Sequence, residues 1–500
     1  MHNKTVSSLL TFLLPALLVS CSSLAPIPTT TPTPALAQIA TSTIIPAQST
    51  QTTPTATVTS IPAAERAKYT LNTTINYDAH TVTVDETILY PNNTGSQLNT
   101  LVLAVVPNLW TDSFHLASVA SIAIDDTPLT TYSLEGQRLE FALSSLLKPG
   151  ATLKINIQYT LTLPFAEQED PNVSRPRIYG YTARQLNLAN WYPFVVPYIN
   201  GEWVLHEPWY YGEHLVYDAA DYEVNLKFAD PATAPVVAAS GFPEPQADST
   251  RYTITSARAF ALSASRDFQV STSQFGDVTV SSYYFAFSEA AGQAALQASG
   301  EAMQIFSQRY GAYPHKTLSL VMGDFNDGME YSAFYYLPRD FYSLYDGTPA
   351  NYLTFVAVHE TSHQWWFEQI ANDQALQPWV DEALATYSER IYYETIYPDL
   401  ISWWWTYRID FYKPEGFVDI PIYNGQGFRP YTNATYFQGA HFLEDLRARI
   451  GDENFFAFLQ DYLAQSRGKI VTAADFFRIL REHTNTDYSD LVRQYFQNVY

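Results

Sequence analysis

From Lys68 onward, apolar and polar residues alternate in short runs. The stretch "YTLNTTINYDAHTVTVDETILYPNNTG" does so and stops at Asn-Asn-Thr-Gly. "LNTLVLAVVPNLW", "VASIAIDDTPL", "RLEFALSSLLKPGATLKINIQYTLTLP" and "DYEVNLKFADPATAPVVAASG" repeat the style. Period-two runs of about 5–8 residues, bounded by Gly, Pro, Asn and Asp, predict strands of an antiparallel sheet or sandwich. After about Val278 the period changes. "SEAAGQAALQASGEAMQIFSQRYG" has helical apolar spacing and stops at Gly311, and "TLSLVMGDF" reads as a buried strand. "LTFVAVHETSHQWWFEQI" (353–370) has no Gly or Pro and carries apolar residues at helical spacing; "QPWVDEALATYSERIYY" opens another helix after Pro378. The chain therefore reads as a multi-domain α+β protein. An antiparallel β-sandwich or saddle domain over 66–275 is followed by a mainly helical domain over 276–500.

The N-terminus follows neither pattern. "MHNKTVSSLLTFLLPALLVSCSS" places Lys4 before an apolar run over 9–19, the layout of a secretory signal peptide and too short for a comfortable membrane span. It ends in Leu18-Val19-Ser20-Cys21, which resembles the lipoprotein box of bacteria. The resemblance implies a signal peptide over 1–20 and a lipidated Cys21 that anchors an extracytoplasmic protein to the cell membrane or envelope; plain secretion is the alternative. Residues 22–64 are mostly Thr, Pro, Ser, Ala and Gln, and no charged residue stands between Lys4 and Glu65. Residues 21–65 are expected to be a disordered stalk.

Composition narrows the function. The 500 residues, 47% of them hydrophobic, suffice for two or three packed domains. A formal net charge of −23, from 27 basic and 50 acidic residues, disfavours nucleic acid and anionic membrane as main partners. Membrane contact is expected through Cys21 alone. That residue is the one cysteine, so neither an intramolecular disulfide nor a thiolate metal site is available.

The chemistry starts in "VHETSHQWW". His359 and His363 are four apart and share one face of a helix, where neutral imidazoles bind one ion; Glu360 falls beside them, placed to take a proton from a water the metal activates. A catalytic zinc takes three protein ligands. Glu382 lies in the first turn of the next predicted helix, eighteen residues beyond His363, and a turn with an antiparallel return brings it back.

His-Glu-Thr-Ser-His followed at that interval by the Glu of "WVDEALATYSE" closely resembles the M1 aminopeptidases, which are gluzincin metallopeptidases. Gly328-Met329-Glu330-Tyr331 resembles the family's exopeptidase motif, with Asp327 where its first glycine usually stands. "TYFQGAHFLEDLRARIG" resembles the segment that holds the catalytic tyrosine: Tyr436 matches, and Gln438 stands where lysine is common. The resemblance spans about 67–500. It implies a thermolysin-like catalytic domain and one Zn2+ held by His359, His363 and Glu382. Glu360 would be the general base and Tyr436 the hydrogen-bond donor to the developing oxyanion. Gly328, Met329 and Glu330 would bind substrate, with Glu330 on the α-amino group of peptides that have a free N-terminus. It also implies an anchor in the first domain; the usual Asp-Glu-Pro stretch is missing, so that anchor is unassigned, with Gln185 as one candidate. The chain ends near the end of the thermolysin-like domain, so the family's helical C-terminal domain is expected to be absent. His206, His214, the aromatic stretch 203–211, His315, His441 and the "SWWWTYRIDFY" run at 402–412 read as structural, with an aromatic substrate wall as the alternative for the last. A zinc endopeptidase, another gluzincin hydrolase, and a catalytically silent binding lipoprotein on this scaffold are the alternative functions.

Overall fold

The period-two pattern is realised as strands with alternating burial. In Ala67–Asn76 the residues Tyr69, Leu71, Thr73 and Ile75 are buried while their neighbours are not, and Thr81–Pro91 and Thr152–Thr162 alternate likewise. A computed structural model describes residues 66–110, 112–118, 121–166 and 178–500. The expected signal peptide, the stalk and Cys21 lie outside these residues.

The first half is built on a nine-stranded sheet. Its central strands run in the order Thr250–Ala257, Ala220–Phe228, Ala67–Asn76, Thr81–Pro91, Thr152–Thr162. One neighbour pair departs from the antiparallel expectation. Ala67–Ile75 pairs in parallel with Ala220–Phe228, a strand that the chain reaches only after leaving the sheet at Thr162. Two four-stranded sheets, one centred on Leu98–Ala104 with Arg138–Leu147, the other on Leu262–Ser265, share the same apolar core.

The second half is helical around a five-stranded sheet. Helix Glu289–Arg309 makes the crossover between parallel strands Val278–Phe285 and Thr317–Met322, as a parallel pair requires. Strand Phe334–Leu337 extends the sheet and Met329–Tyr331 closes it as an antiparallel edge. Phe268–Phe275 pairs with Val278–Phe285 in this sheet, so one hairpin straddles the boundary expected at 275/276. The two halves are tied by Arg258, a fully buried residue from the first half. Its guanidinium donates to the carbonyls of Glu368 (3.0 Å), Lys469 (3.0 Å) and Tyr217 (3.2 Å). Buried carbonyls without such a donor would each carry a desolvation penalty. Among the described residues no helix is long and apolar enough to cross a membrane.

The helix expected over 353–370 is shorter. It spans Tyr352–Ser362, started by Asn351, whose side chain accepts from the Thr354 N–H at 3.0 Å. It stops at His363 because the next residues find better partners elsewhere. The Gln364 amide accepts from Ala333 N (2.8 Å) and donates to Tyr331 O (3.0 Å), and Glu368 is bound by His315 and Ser332. Phe367 is left with φ at +148°.

Candidate metal and substrate site

The short helix suffices for its two histidines. His359 sits in its last turn and His363 caps it, and both are buried. Helix Trp379–Ile396 begins after Pro378 and carries Glu382 in its first turn, where the helix N-terminus favours a carboxylate. The return brings three atoms together. His359 Nε2 lies 3.2 Å from Glu382 Oε2, His363 Nε2 lies 3.6 Å from the same oxygen, and the two Nε2 atoms are 3.1 Å apart.

The outward nitrogens decide what the inward ones are. His359 Nδ1 is 3.0 Å from Glu389 Oε1 and His363 Nδ1 is 3.0 Å from the Trp366 carbonyl. Both partners are acceptors, so each Nδ1 carries the proton and each Nε2 presents a lone pair. Three lone-pair donors thus converge, all within 4.8 Å of one another, and a single cation satisfies them. A proton on Nε2 competes with a metal for this point. Burial opposes charge on His359, but its hydrogen bonds to Glu382 and Glu389 outweigh this and push the imidazole up to about 9. Burial likewise opposes ionisation of Glu382, but the two imidazoles hold it well below the usual carboxylate range. The cage draws positive charge, and two imidazoles and a carboxylate in this spacing suit zinc. Glu330, His363 and Asp381 form a second convergent group. Asp381 is the poorer ligand, since Asn372 (3.1 Å), Gln374 (3.0 Å) and the Glu382 N–H (2.9 Å) already donate to it.

Support for the cage comes from the "SWWWTYRIDFY" run. Trp404 Nε1 donates to Glu389 at 2.9 Å, and Arg408 donates through Nε (2.9 Å) and Nη2 (2.8 Å). Glu389 therefore orients His359 while its own charge is balanced. Sequence reading missed both Glu389 and Arg408. The available signal was the lone arginine inside an aromatic run, at the end of a π-helical turn Trp404–Ile409. A second π-helical turn, Asn433–Gln438, presents Tyr436 with its ring stacked 6.0 Å from that of His359. Burial and then the Glu382 charge raise the Tyr436 phenol well above its usual range, so it keeps its proton. Gly439 follows because a Cβ there would stand 2.4 Å from Ala383 Cβ and push this segment off the Glu382 helix.

Glu360 is buried, and its Oε2 has no hydrogen-bond partner among the described residues. Burial first, with the nearby carboxylates, pushes it up to about 8. Gly328 passes close by: a Cβ there would lie 2.5 Å from Glu360 Oε1. In strand Met329–Tyr331 the alternation turns Glu330 into the cleft and Met329 onto the core, so Met329 does not line the site expected of it. Glu330 accepts from Gln374 Nε2 at 2.9 Å, and burial pushes its carboxyl up to about 7.

Gln185 is not at the site. Its amide donates to Ser263 (2.8 Å) and accepts from Asp324 N (2.6 Å), so bonds within the first half and across to the second consume it. The first half reaches the cleft instead through Glu213, on the segment 204–219. That segment is strapped across: His206 meets Asp373 at 2.8 Å, and Tyr423 donates to the Glu207 carbonyl at 2.7 Å. Tyr211 donates to the Gly425 carbonyl. The stretch 203–211 thus carries a functional position next to it, a role that no local pattern announces. His315 binds Glu368 and His441 binds Asp410, both away from the cage.

Glu213, Gly328, Glu330, Glu360, the cage and Tyr436 line one cleft of about 420 Å3. A roomier cavity of about 580 Å3 beside Asp218 and Arg258 contains none of them. The donor set, not the volume, marks the site.

Residues 294–495 match the family described as the peptidase family M1 domain. No curated protein matches the chain. Among solved structures, the chain resembles an M1 zinc metallopeptidase from Deinococcus radiodurans (TM-score 0.62, 17% identity, 87% of this chain and 94% of that one). It is also similar to a two-domain M1 zinc metallopeptidase mutant bound to L-tryptophan (TM-score 0.63, 17% identity, 87% and 95%). A third is a Deinococcus radiodurans M1 zinc metallopeptidase mutant bound to a Tyr-Ser-Ala substrate (TM-score 0.61, 17% identity, 86% and 93%). At this identity the likeness speaks to the fold, a β-rich half followed by a helical half.

Proposed function

On the premise that residues 294–495 form a peptidase family M1 domain, we propose that the protein is a zinc aminopeptidase that removes N-terminal residues from peptides outside the cytoplasm. One observation carries the metal part: His359 Nε2, His363 Nε2 and Glu382 Oε2 converge as acceptors while both outward nitrogens are occupied. When bound, zinc supplies a Lewis acid that polarises the scissile carbonyl and makes a water acidic. Glu360 accepts that water's proton and delivers it to the leaving amine. Tyr436 donates a hydrogen bond to the carbonyl oxygen as it gains charge. Glu330 and Glu213 receive the substrate's α-ammonium. Buried carboxylates, which burial makes reluctant to ionise alone, favour a cation that brings its own donors. Fixing the amine fixes which peptide bond meets Glu360, and so makes an exopeptidase. Binding of L-tryptophan and of Tyr-Ser-Ala by the structural neighbours agrees with a site for amino acids and short peptides.

The test is a pair of short peptides, free and N-acetylated, with and without chelator. Cleavage of the free form alone, lost to chelator and restored by zinc, is expected. Equal cleavage of both overturns the exopeptidase reading, and activity surviving both chelation and Glu360→Gln overturns the metal. For location, mass spectrometry of the mature N-terminus is expected to find lipid on Cys21; a start at Ser22 or Ser23 rejects the anchor.

A further inference from the structure

The cleft changes sign along its length. Around His363 the charged lining is acidic: Glu330, Glu213 and Glu382 all line the cleft, and the last two act on Glu330. Past His359 it becomes cationic and aromatic. The Arg408 guanidinium lies 4.5 Å over the Phe355 ring, and that of Arg429 lies 3.8 Å over the Tyr412 ring. All four residues line the cleft, and both arginines act on the Tyr352 hydroxyl beside them. The two charges differ in what they have left to give. Arg408 is committed to Glu389 through Nε and Nη2. Arg429 makes no side-chain hydrogen bond or ion pair with any described residue and is exposed. Stacking on Tyr412 occupies the face of its guanidinium and leaves the in-plane donors available. Asp340, at the same end, is tied down by Asn326 Nδ2 at 2.8 Å and sits 3.6 Å from Arg339. The cation here with donors left to give is therefore Arg429, on a fork whose geometry fits a carboxylate.

We propose that this end of the cleft is a carboxylate subsite, in which Arg429, with Arg408 and Tyr412 beside it, receives a carboxylate on the C-terminal side of the scissile bond. The inference rests on the aminopeptidase reading, which sets the amino end of the substrate at Glu330. A substrate crossing the cage from that end presents its other end to Arg429. Two carboxylates qualify: the α-carboxylate of a di- or tripeptide, or an Asp or Glu side chain just after the cleaved bond. Either makes the enzyme a trimmer of short or acidic peptides.

The experiment compares four substrates with the same first residue: a free dipeptide acid, its C-terminal amide, an amide with Glu as second residue, and the N-acetylated acid. The acid is expected to exceed its neutral amide by about tenfold in kcat/KM, the value of one charge-assisted contact. The ratio is expected to shrink as ionic strength rises. In Arg429→Gln the ratio falls toward one, and Arg429→Lys restores part of it. The Glu-containing amide identifies which carboxylate is read. A wild-type ratio near one for the acid and the Glu amide alike overturns the subsite, as does a ratio that Arg429→Gln leaves intact. Failure of the underlying reading looks different, namely equal cleavage of acetylated and free forms, or cleavage of none. Calorimetric titration of the acid and the amide into Glu360→Gln reads the same preference without turnover.

Discussion

The two ends of the cleft are made of opposite materials. Glu330, 3% exposed, is fixed in a sheet edge and bound by Gln374. Arg429 stands exposed on the five-residue helix Phe428–Thr432. A buried carboxylate has little water to stabilise its charge, so an arriving cation meets a strong and poorly screened field. An exposed arginine acts through water and salt, and contributes less. The acidic end should therefore decide whether a substrate is accepted, and the cationic end how well.

The largest effect is expected between them, at the point both ends serve. Glu360→Gln should lower kcat by about 10²–10⁴-fold, the range for a general base, with zinc content unchanged by metal analysis. A kcat within tenfold of the parent would remove Glu360 from the chemistry. Next comes the acidic end. Glu330→Gln should cost about 2–5 kcal/mol in kcat/KM for free peptides and bring them close to their acetylated forms. If the preference for a free amine survives, Glu213 or another group holds the amine. Glu389→Gln should break the comparison at its root, since this carboxylate serves both His359 and Arg408. Zinc affinity is expected to fall about 10–100-fold in competition with a chelator. Last, Gly328→Ala forces a Cβ to within 2.5 Å of Glu360 Oε1. A loss of about 1–3 kcal/mol in thermal unfolding, with reduced kcat, is expected. Unchanged kcat would mean that Glu360 can move aside freely.

What could be read in the sequence was local or rigidly spaced. His359, Glu360 and His363 share one helical turn, and a turn has the same geometry wherever it occurs. Glu382 could be assigned because a short helix, a turn and a return leave little freedom, and the resemblance gave the interval. Glu330 was found by motif, but Met329 was credited along with it, and strand alternation turns the two side chains to opposite faces. The helix end at Ser362 was not legible, because Gln364 and Glu368 are drawn to partners about thirty or more positions away in sequence. Gln185 could be named as a candidate and Glu213 went unnamed for the same reason. Which of the two reaches the cleft depends on contacts of His206, Tyr211 and Glu207 with residues 373–425.

By itself, then, the sequence determined the order of a β-rich half and a helical half, the ligand pair with its base, and the kind of ion they suit. Those follow from periodicity and from side chains close along the chain. Only the tertiary structure decided which nitrogens face the ion, which first-half residue enters the cleft, and that Arg429 stands at the far end with donors to give. The physical reason is that hydrogen bonds and charges act over a few ångströms of space, and folding sets those distances independently of separation along the chain.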